Sequence, residues 1–384
     1  MSNNNDLIQA LAAIVEGSAL ADSRHTRQAA TDHTQGCYEV LFTTGTARFS
    51  LAERATVAAQ VAEWHQVNTL AQHYQTLTTG AELTPSLQAA LLFARHLTFE
   101  PVSVTPQHLQ ALQQAGWQTD ALITLAQVIA FVSFQSRLIA GFTVLNTITK
   151  TEVHQIKTLP AVTAGRWNLQ ARTTGNRCAP QSFTRKELGW EPWLPPKPFD
   201  AFTEAQQQVL IRFGHQHSDY FRLLGHDQPV LEQRTLIDKG IFYTPGGLSR
   251  AERELAATVV SKVNGCIYCA SVHARKASQL SKQTEEIALL LQVQPGDELS
   301  AGQSERWQAV IEAVAALSLT PPRLTQEHLR ALQQHSLSTL AITDLIQSAA
   351  FFAWANRLML ALGEPYIPEQ EAIEAGDAVT RASA

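Results

Sequence analysis

One ten-residue stretch determines which fold and function the sequence predicts: Asn264-Gly265-Cys266-Ile267-Tyr268-Cys269-Ala270-Ser271-Val272-His273. It lies inside residues 250–280, a run whose apolar spacing otherwise predicts a helix. Asn-Gly in the middle of that run predicts that one helix ends there and a second begins near Cys266. The second helix would carry two cysteines and a histidine close to its start, so the sequence predicts a turn between two helices with thiols beside it.

The spacing of these side chains places them on one face of the second helix. Positions i and i+3 of an α-helix are about 60° apart with Cα atoms about 5 Å apart, which lies within the disulfide range. His273 follows Cys269 by four positions and Cys266 by seven, so it shares their face. The positive end of a helix favours a thiolate, and a neighbouring histidine can transfer its proton. The pattern therefore predicts a redox dithiol.

A zinc site and a haem attachment site both fit this Cys-x-x-Cys pair less well. A structural zinc site needs four ligands, but the remaining two cysteines, Cys37 and Cys178, are isolated. Haem attachment needs a histidine directly after the second cysteine, where this chain has Ala270. Two inert core cysteines stay open as an alternative. We expect neither a metal nor a cofactor.

Composition narrows the class of protein. The chain has 384 residues, a net charge of −5 and 45% hydrophobic residues. This negative net charge does not favour binding to nucleic acid or to an anionic membrane. No uninterrupted apolar run approaches 18 residues, the length that would predict a membrane-spanning helix. The first residues lack the pattern of a signal peptide, and four cysteines in so long a chain favour a reducing compartment. We expect a cytoplasmic protein with no nucleic-acid or membrane partner.

Helical patterns dominate the chain and strand patterns are scarce, which predicts an all-α fold. Ser50 is placed to cap a helix that we expect to continue through Ala71. Residues 17–36 read as a polar stretch. Residues 159–198 are rich in proline, glycine and tryptophan, which predicts a linker packed on a surface. The tail beyond Gly363 is expected to fray.

The two halves of the chain resemble each other. Residues 108–138 and 328–358 are identical at 14 of 31 positions without a gap. Earlier in each half, Leu51-Ala52-Glu53-Arg54 matches Arg250-Ala251-Glu252-Arg253, and we align His73 with His273 after it. This alignment sets Gln66 and Thr69 opposite the two cysteines, so it predicts a repeated scaffold with thiols in one copy only.

The repeat predicts a division into domains. We expect a helical domain without the cysteine pair at residues 1–158, the linker at 159–198, and a second helical domain with the pair at 199–384.

Four residues form a spaced motif: Glu254, then Cys266 after eleven residues, Cys269 after two more, and His273 after a further three. This motif resembles that of the AhpD-like alkylhydroperoxidase branch of the carboxymuconolactone decarboxylase family. Residues 351–358, Phe-Phe-Ala-Trp-Ala-Asn-Arg-Leu, are similar to the Asn-Arg helix of its peroxidase-related members. The resemblance implies an all-α fold of duplicated AhpD-like domains, a hydroperoxide substrate, and a dithiol or lipoylated protein as electron donor. Members commonly form trimers or hexamers, so we expect a homo-oligomer.

The resemblance also implies residue roles. Cys269 would attack the peroxide, Cys266 would resolve the product as a disulfide, and Glu254 and His273 would relay protons. Members often have a histidine where this chain has Tyr268, a poorer proton shuttle near neutral pH. Helix-end reasoning alone instead favours Cys266 as the more acidic thiol.

The acid of this motif poses a geometric question. One continuous helix would leave Glu254 about 18 Å from Cys266, so it reaches the thiols only if the chain turns back at Asn264-Gly265. Glu252 is the rival acid, and its match to Glu53 in the other half favours a helix-start role for it.

Three hypotheses of function follow. The leading one is a dithiol oxidoreductase, a peroxidase that reduces hydroperoxides through a Cys266–Cys269 disulfide cycle. The second is a cofactorless decarboxylase or proton-transfer enzyme that uses Glu254 and His273, with the cysteines as bystanders. The third is a non-catalytic redox sensor.

Overall fold

The computed structural model describes residues 6–43, 45–147 and 161–368. The helices before residue 148 are α1 (Leu7–Leu11), α2 (Ala19–Thr26), α3 (Gln28–Phe42), α4 (Leu51–Trp64), α5 (Asn68–Gln75), α6 (Pro85–Phe99), α7 (Pro106–Gln114) and α8 (Thr119–Thr147). Those after residue 198 are α9 (Glu204–Phe213), α10 (Asp219–Leu224), α11 (Gln228–Phe242), α12 (Arg250–Asn264), α13 (Ile267–Ser281), α14 (Thr284–Gln292), α15 (Glu305–Ser318), α16 (Gln326–Gln334) and α17 (Thr339–Leu362). Two short antiparallel strands, β1 (Gly189–Pro192) and β2 (Gly363–Tyr366), pair with Gly189 opposite Tyr366. The predicted all-α class is confirmed.

The long helices α8 and α17 pack along each other at the centre of the molecule. Aromatic contacts join them, because the ring of Trp354 lies 5.1 Å from that of Phe131 and 5.6 Å from that of Phe134. By length and composition each helix is apolar enough to cross a membrane, but 83% and 94% of their most apolar windows are buried inside the protein. Their hydrophobicity therefore serves this core.

Two buried arginines hold the halves together in a reciprocal way. Arg137 on α8 donates to the carbonyl of Ser318 at the end of α15, at 2.8 Å. Arg357 on α17 donates to the carbonyl of Thr98 near the end of α6, at 2.7 Å. Each guanidinium thus meets the negative end of a helix in the other half. A contact that occurs twice with its roles exchanged is the pattern of a two-fold interface.

The polar stretch at residues 17–36 contains α2 and most of α3. Its buried arginines are held by ion pairs: Arg24 with Asp6 at 2.7 Å, and Arg27 with Asp344 of α17 at 2.6 Å. The apolar pattern missed these helices because part of their buried face is charged. Partners distant in sequence make that burial possible.

The helix after Ser50 begins as predicted, with Ser50 and Glu53 forming a capping box. Its predicted continuation through Ala71 is wrong, because α4 ends at Trp64 and Gln66 adopts a left-handed φ of 58°. A new helix, α5, starts at Asn68.

The linker packs against the second half along its described residues, 161–198. Trp190 is buried and donates to the carbonyl of Met359 at 3.2 Å, and Trp193 donates to Glu364 at 2.9 Å. Since β1 of the linker pairs with β2, the predicted fraying is wrong for the first residues after Gly363. The remaining tail, 369–384, and residues 148–160 lie outside the described residues. The domain boundaries stay a prediction.

Candidate functional site

The turn between α12 and α13 depends on a glycine. Gly265 ends α12 in the left-handed conformation, with φ 76°. A Cβ at this position would lie 2.1 Å from the carbonyl oxygen of Arg166 in the linker and 3.0 Å from Val102 of the first half. Only glycine fits both requirements. The chain then reverses, so that α13 packs back along α12.

This reversal brings the predicted acid to the predicted histidine. Glu254, fully buried on α12, contacts the Nδ1 of His273 on α13. Its other oxygen accepts from Arg250, at 2.6 Å. The acid and the histidine are 19 positions apart in sequence, yet they share a hydrogen bond.

Charge around Glu254 keeps it ionised. Burial by itself would raise the pKa of this carboxyl group. The hydrogen bond from His273 and the positive charges of His273, Arg250 and Lys276 outweigh burial, so the pKa of Glu254 lies below its usual value. Near neutral pH the acid is a carboxylate that orients the imidazole and can stabilise it in the protonated form.

The two cysteines lie at the start of α13, and both are buried thiols. Cys266 is the N-cap residue and is 1% exposed, whereas Cys269 lies in the first turn and is 6% exposed. Burial raises the pKa of Cys266 well above its usual value, and so does its neighbour Cys269, although the Cys269 backbone N–H and the Asn356 amide act against this. Helix-end reasoning favoured Cys266 as the acidic thiol, but burial outweighs that effect.

Asn356 was noticed in the sequence only as part of a family helix. In the structure its amide donates to Ser261 at 3.1 Å and its carbonyl accepts from Asn264 at 3.1 Å. Asn356 therefore ties α17 to the last turn of α12 and lies beside the Cys266 thiol. The spacing of the motif gave no signal for this role, because Asn356 lies 92 residues from Asn264 in sequence.

A small pocket reaches Cys266, with a cavity volume of about 40 Å³. Its walls come from three parts of the chain: Val102 and Val104 of the first half, Trp190 and Trp193 of the linker, and Tyr268 and Met359 of the second half. The pocket has room for a water-sized group. The first half and the linker are therefore part of the surroundings of Cys266.

Tyr268 differs from a histidine in its chemistry here. Burial raises the pKa of its phenol, and the neighbouring Cys269 and Cys266 raise it further. The side chain stays protonated at neutral pH, so it is able to donate a hydrogen bond but not to take up a proton.

The rival acid Glu252 lies outside this group. Its carboxylate accepts from the Ser249 hydroxyl at 2.8 Å and from Arg306 at 2.7 Å. These contacts fix the start of α12 to α15, which agrees with the helix-start role expected for Glu252.

The equivalent region of the first half corrects our alignment. Gln66 and Gly265 hold the same left-handed position between two helices, and Val67 and Cys266 are the N-cap residues that follow. This register sets Leu70 opposite Cys269 and Tyr74 opposite His273. The proposed match of His73 with His273 is therefore wrong. His73 instead meets the Tyr38 hydroxyl at 2.9 Å.

Among the described residues, no group of three His, Cys, Asp or Glu side chains is placed to hold a metal ion. In comparisons with known proteins, the model of the carboxymuconolactone decarboxylase family matches residues 228–317, which run from α11 into α15. A search among curated proteins finds no match.

Proposed function

Because residues 228–317 match the model of the carboxymuconolactone decarboxylase family, we propose that the chain is a dithiol oxidoreductase of the alkylhydroperoxidase type. Its substrate is a hydroperoxide, and Cys266 and Cys269 alternate between two thiols and a disulfide. The observation that carries the proposal is the contact between Glu254 and His273 across the two helices, one turn from Cys269 on α13.

The proposed cycle balances in three steps. The Cys269 thiolate attacks a peroxide oxygen, the O–O bond breaks, and the alcohol leaves with a proton from His273, so that Cys269 becomes a sulfenic acid. The Cys266 thiol then attacks that sulfur, an S–S bond forms and water leaves. A dithiol donor reduces the disulfide, becomes a disulfide itself and returns both thiols.

The environment of each group supports its role. Burial raises the pKa of Cys266, so this residue stays a thiol until the sulfenic acid forms beside it. Glu254 is ionised and hydrogen-bonded to the imidazole, which favours a histidine that both donates and accepts protons. Since Tyr268 cannot accept a proton at neutral pH, the relay has one proton carrier fewer than in members with histidine there.

The test is consumption of a hydroperoxide with dihydrolipoamide as the reductant. We expect turnover by the parent protein, none by Cys269→Ser, and retained turnover by Cys178→Ser, a matched control in the linker. Mass spectrometry should detect a Cys266–Cys269 disulfide after peroxide is added. Equal activity of Cys269→Ser and the parent would sink the proposal, and a disulfide without turnover would favour the redox sensor.

A second candidate is favoured by the same contact. The Glu254–His273 pair can move a proton without either thiol, as a cofactorless decarboxylase or proton-transfer enzyme requires. Activity on a lactone that survives alkylation of both thiols would establish this function instead.

Partners and location are part of the proposal. A lipoylated protein is a suitable donor because its arm carries a dithiol, and a reducing cytoplasm would keep the pair ready for use. We also propose a homo-oligomer, and sedimentation of the intact chain as a monomer would remove that element.

A further inference from the structure

Asn356 of α17 is fully buried, and its neighbours on α12 fix the orientation of its side-chain amide. The Ser261 hydroxyl donates to the carbonyl of Ala257 at 2.7 Å, so it can only accept from the Asn356 amide nitrogen, which lies at 3.1 Å. The amide oxygen of Asn356 accepts from the Asn264 side chain, also at 3.1 Å. The two ends of the amide are therefore distinguished, and its nitrogen carries a second N–H for a further acceptor.

Both partners of this amide belong to the turn that carries Cys266. Asn264 comes two residues before Cys266, and the Cys266 backbone N–H donates to the carbonyl of Ser261 at 2.8 Å. A side-chain hydrogen bond from Asn356 also acts to lower the pKa of Cys266, against the effect of burial. Since a thiolate accepts hydrogen bonds more strongly than a thiol does, this contact strengthens when Cys266 loses its proton.

The first half lacks the amide where it lacks the thiol. Ser136 is opposite Asn356 in the ungapped alignment, and its hydroxyl donates to the carbonyl of Val132 in its own helix, at 2.7 Å. In the register of the two turns, Val67 is opposite Cys266. The long helix of the first half therefore packs without an amide at this position, which links the amide to the thiol and not to the scaffold.

We propose that Asn356 is a positioning residue that donates a hydrogen bond to the Cys266 sulfur in the resolving step. The inference rests on the proposed function, in which Cys266 attacks the sulfenic acid of Cys269. In that step the Cys266 thiol gives up its proton, its sulfur bonds to that of Cys269, and the S–O bond breaks so that water leaves. A buried thiol resists the loss of its proton, so a donor beside its sulfur speeds the step.

Other titratable groups surround the same thiol. Cys269 raises the pKa of Cys266. Two phenols interact with the thiol electrostatically, Tyr268 of α13 and Tyr220 of α10. Glu364 of β2 lines the same pocket. None of these groups is removed when only the amide is substituted, so a difference between variants reports on the amide.

The experiment follows the reaction of the reduced protein with dithiodipyridine, in a Cys178→Ser background that removes the partly exposed linker thiol. Cys269 attacks the reagent, forms a mixed disulfide and releases a first thiopyridone; Cys266 then attacks the Cys269 sulfur, closes the disulfide and releases a second. We expect Asn356→Ser to slow the second phase about three- to tenfold, because a higher thiol pKa lowers the thiolate fraction more than it raises nucleophilicity. The first phase should be unchanged.

Two further variants separate this role from packing. Ser136→Ala removes the counterpart hydroxyl of the first half and should leave both phases unchanged. Asn356→Asp keeps the size of the side chain and the acceptor for Asn264 but loses the N–H donors, so it should slow the second phase at least as much as Asn356→Ser. Recovery of the parent rate in Asn356→Asp, equal slowing of both phases, or no slowing at all would overturn the inference, even if the parent reduces hydroperoxides. A slowed second phase in a protein without peroxidase turnover would keep the role of Asn356 and reject the proposed function.

Discussion

The turn between α4 and α5 and the turn between α12 and α13 have the same backbone and different chemistry. Arg54 donates to the carbonyl of Leu41 near the end of α3, and Arg253 donates to that of Ile241 near the end of α11. Each turn has a left-handed residue, Gln66 or Gly265. The shared features are those that build the scaffold.

The differences fall on the groups proposed to react. In the register set by the two turns, Glu254 is opposite Ala55, Cys266 opposite Val67, Cys269 opposite Leu70 and His273 opposite Tyr74. Each of these four groups has an apolar or neutral counterpart that fills a core position. The same turn forms with apolar or neutral side chains at these four positions, so we expect changes at the matching positions of the second turn to be testable on activity apart from folding.

The largest expected effect comes from replacing Glu254 with alanine, the residue that the first half has at the matching position, Ala55. Glu254→Ala should lower hydroperoxide turnover by about 10²–10⁴-fold, because the histidine loses its orienting carboxylate. Steady-state kinetics with dihydrolipoamide measures this loss. Glu252→Ala, which removes a carboxylate of the helix start, is the control and should retain most of the turnover. Similar losses in the two variants would mean that α12 is merely disturbed.

The next effect concerns the glycine of the turn. Gly265→Ala should lower the free energy of unfolding by about 3 kcal/mol or more, since left-handed strain adds to a clash with the Arg166 carbonyl. Gly214→Ala is the matched control: it ends α9 at φ 72° with nothing within 4 Å of its Cβ. It should cost only about 1–2 kcal/mol in urea unfolding. Equal costs would show that the linker moves away freely.

A third test uses His65, which is opposite Asn264. Burial lowers the pKa of His65 well below its usual value, and the charges of Arg137 and Arg357 lower it further. The unfolded chain then takes up a proton near pH 6.5 and the folded chain does not, so stability from this group is lost as the pH falls below about 6.5. The slope is at most about 1.4 kcal/mol per pH unit.

His65→Asn should remove that slope. Urea unfolding of parent and variant between pH 7 and 5 measures it, and the parent should lose more stability than the variant across this range. A constant difference between the two proteins would show that His65 is not the titrating group.

The sequence allowed much of this site to be predicted, because the deciding features are local. The break at Asn264-Gly265 and the spacing of the two cysteines from His273 are both readable within a few turns of helix. The alignment of the first half failed by one residue because it followed a histidine match. The left-handed residue, which fixes the register in space, is a glycine in one turn and a glutamine in the other.

What the sequence did not reveal depends on distant contacts. Asn356 meets the thiol region only through the tertiary fold, and so do the linker tryptophans that line the pocket. The charged helices α2 and α3 were missed for the same reason, since Asp344 lies 317 residues from Arg27. The spacing of apolar residues does not indicate which charged side chains distant in sequence will pair in the fold.

The smallest expected effect lies at the counterpart of Gly265. Gln66 holds a left-handed φ of 58°, which strains a residue with a Cβ by about 1–2 kcal/mol. Gln66→Gly relieves that strain but adds freedom to the unfolded chain, which costs about 0.5–1 kcal/mol. The net gain should be at most about 1.5 kcal/mol in urea unfolding, with turnover unchanged. A clear loss of stability would show that the Gln66 side chain, and not only its backbone, supports the first turn.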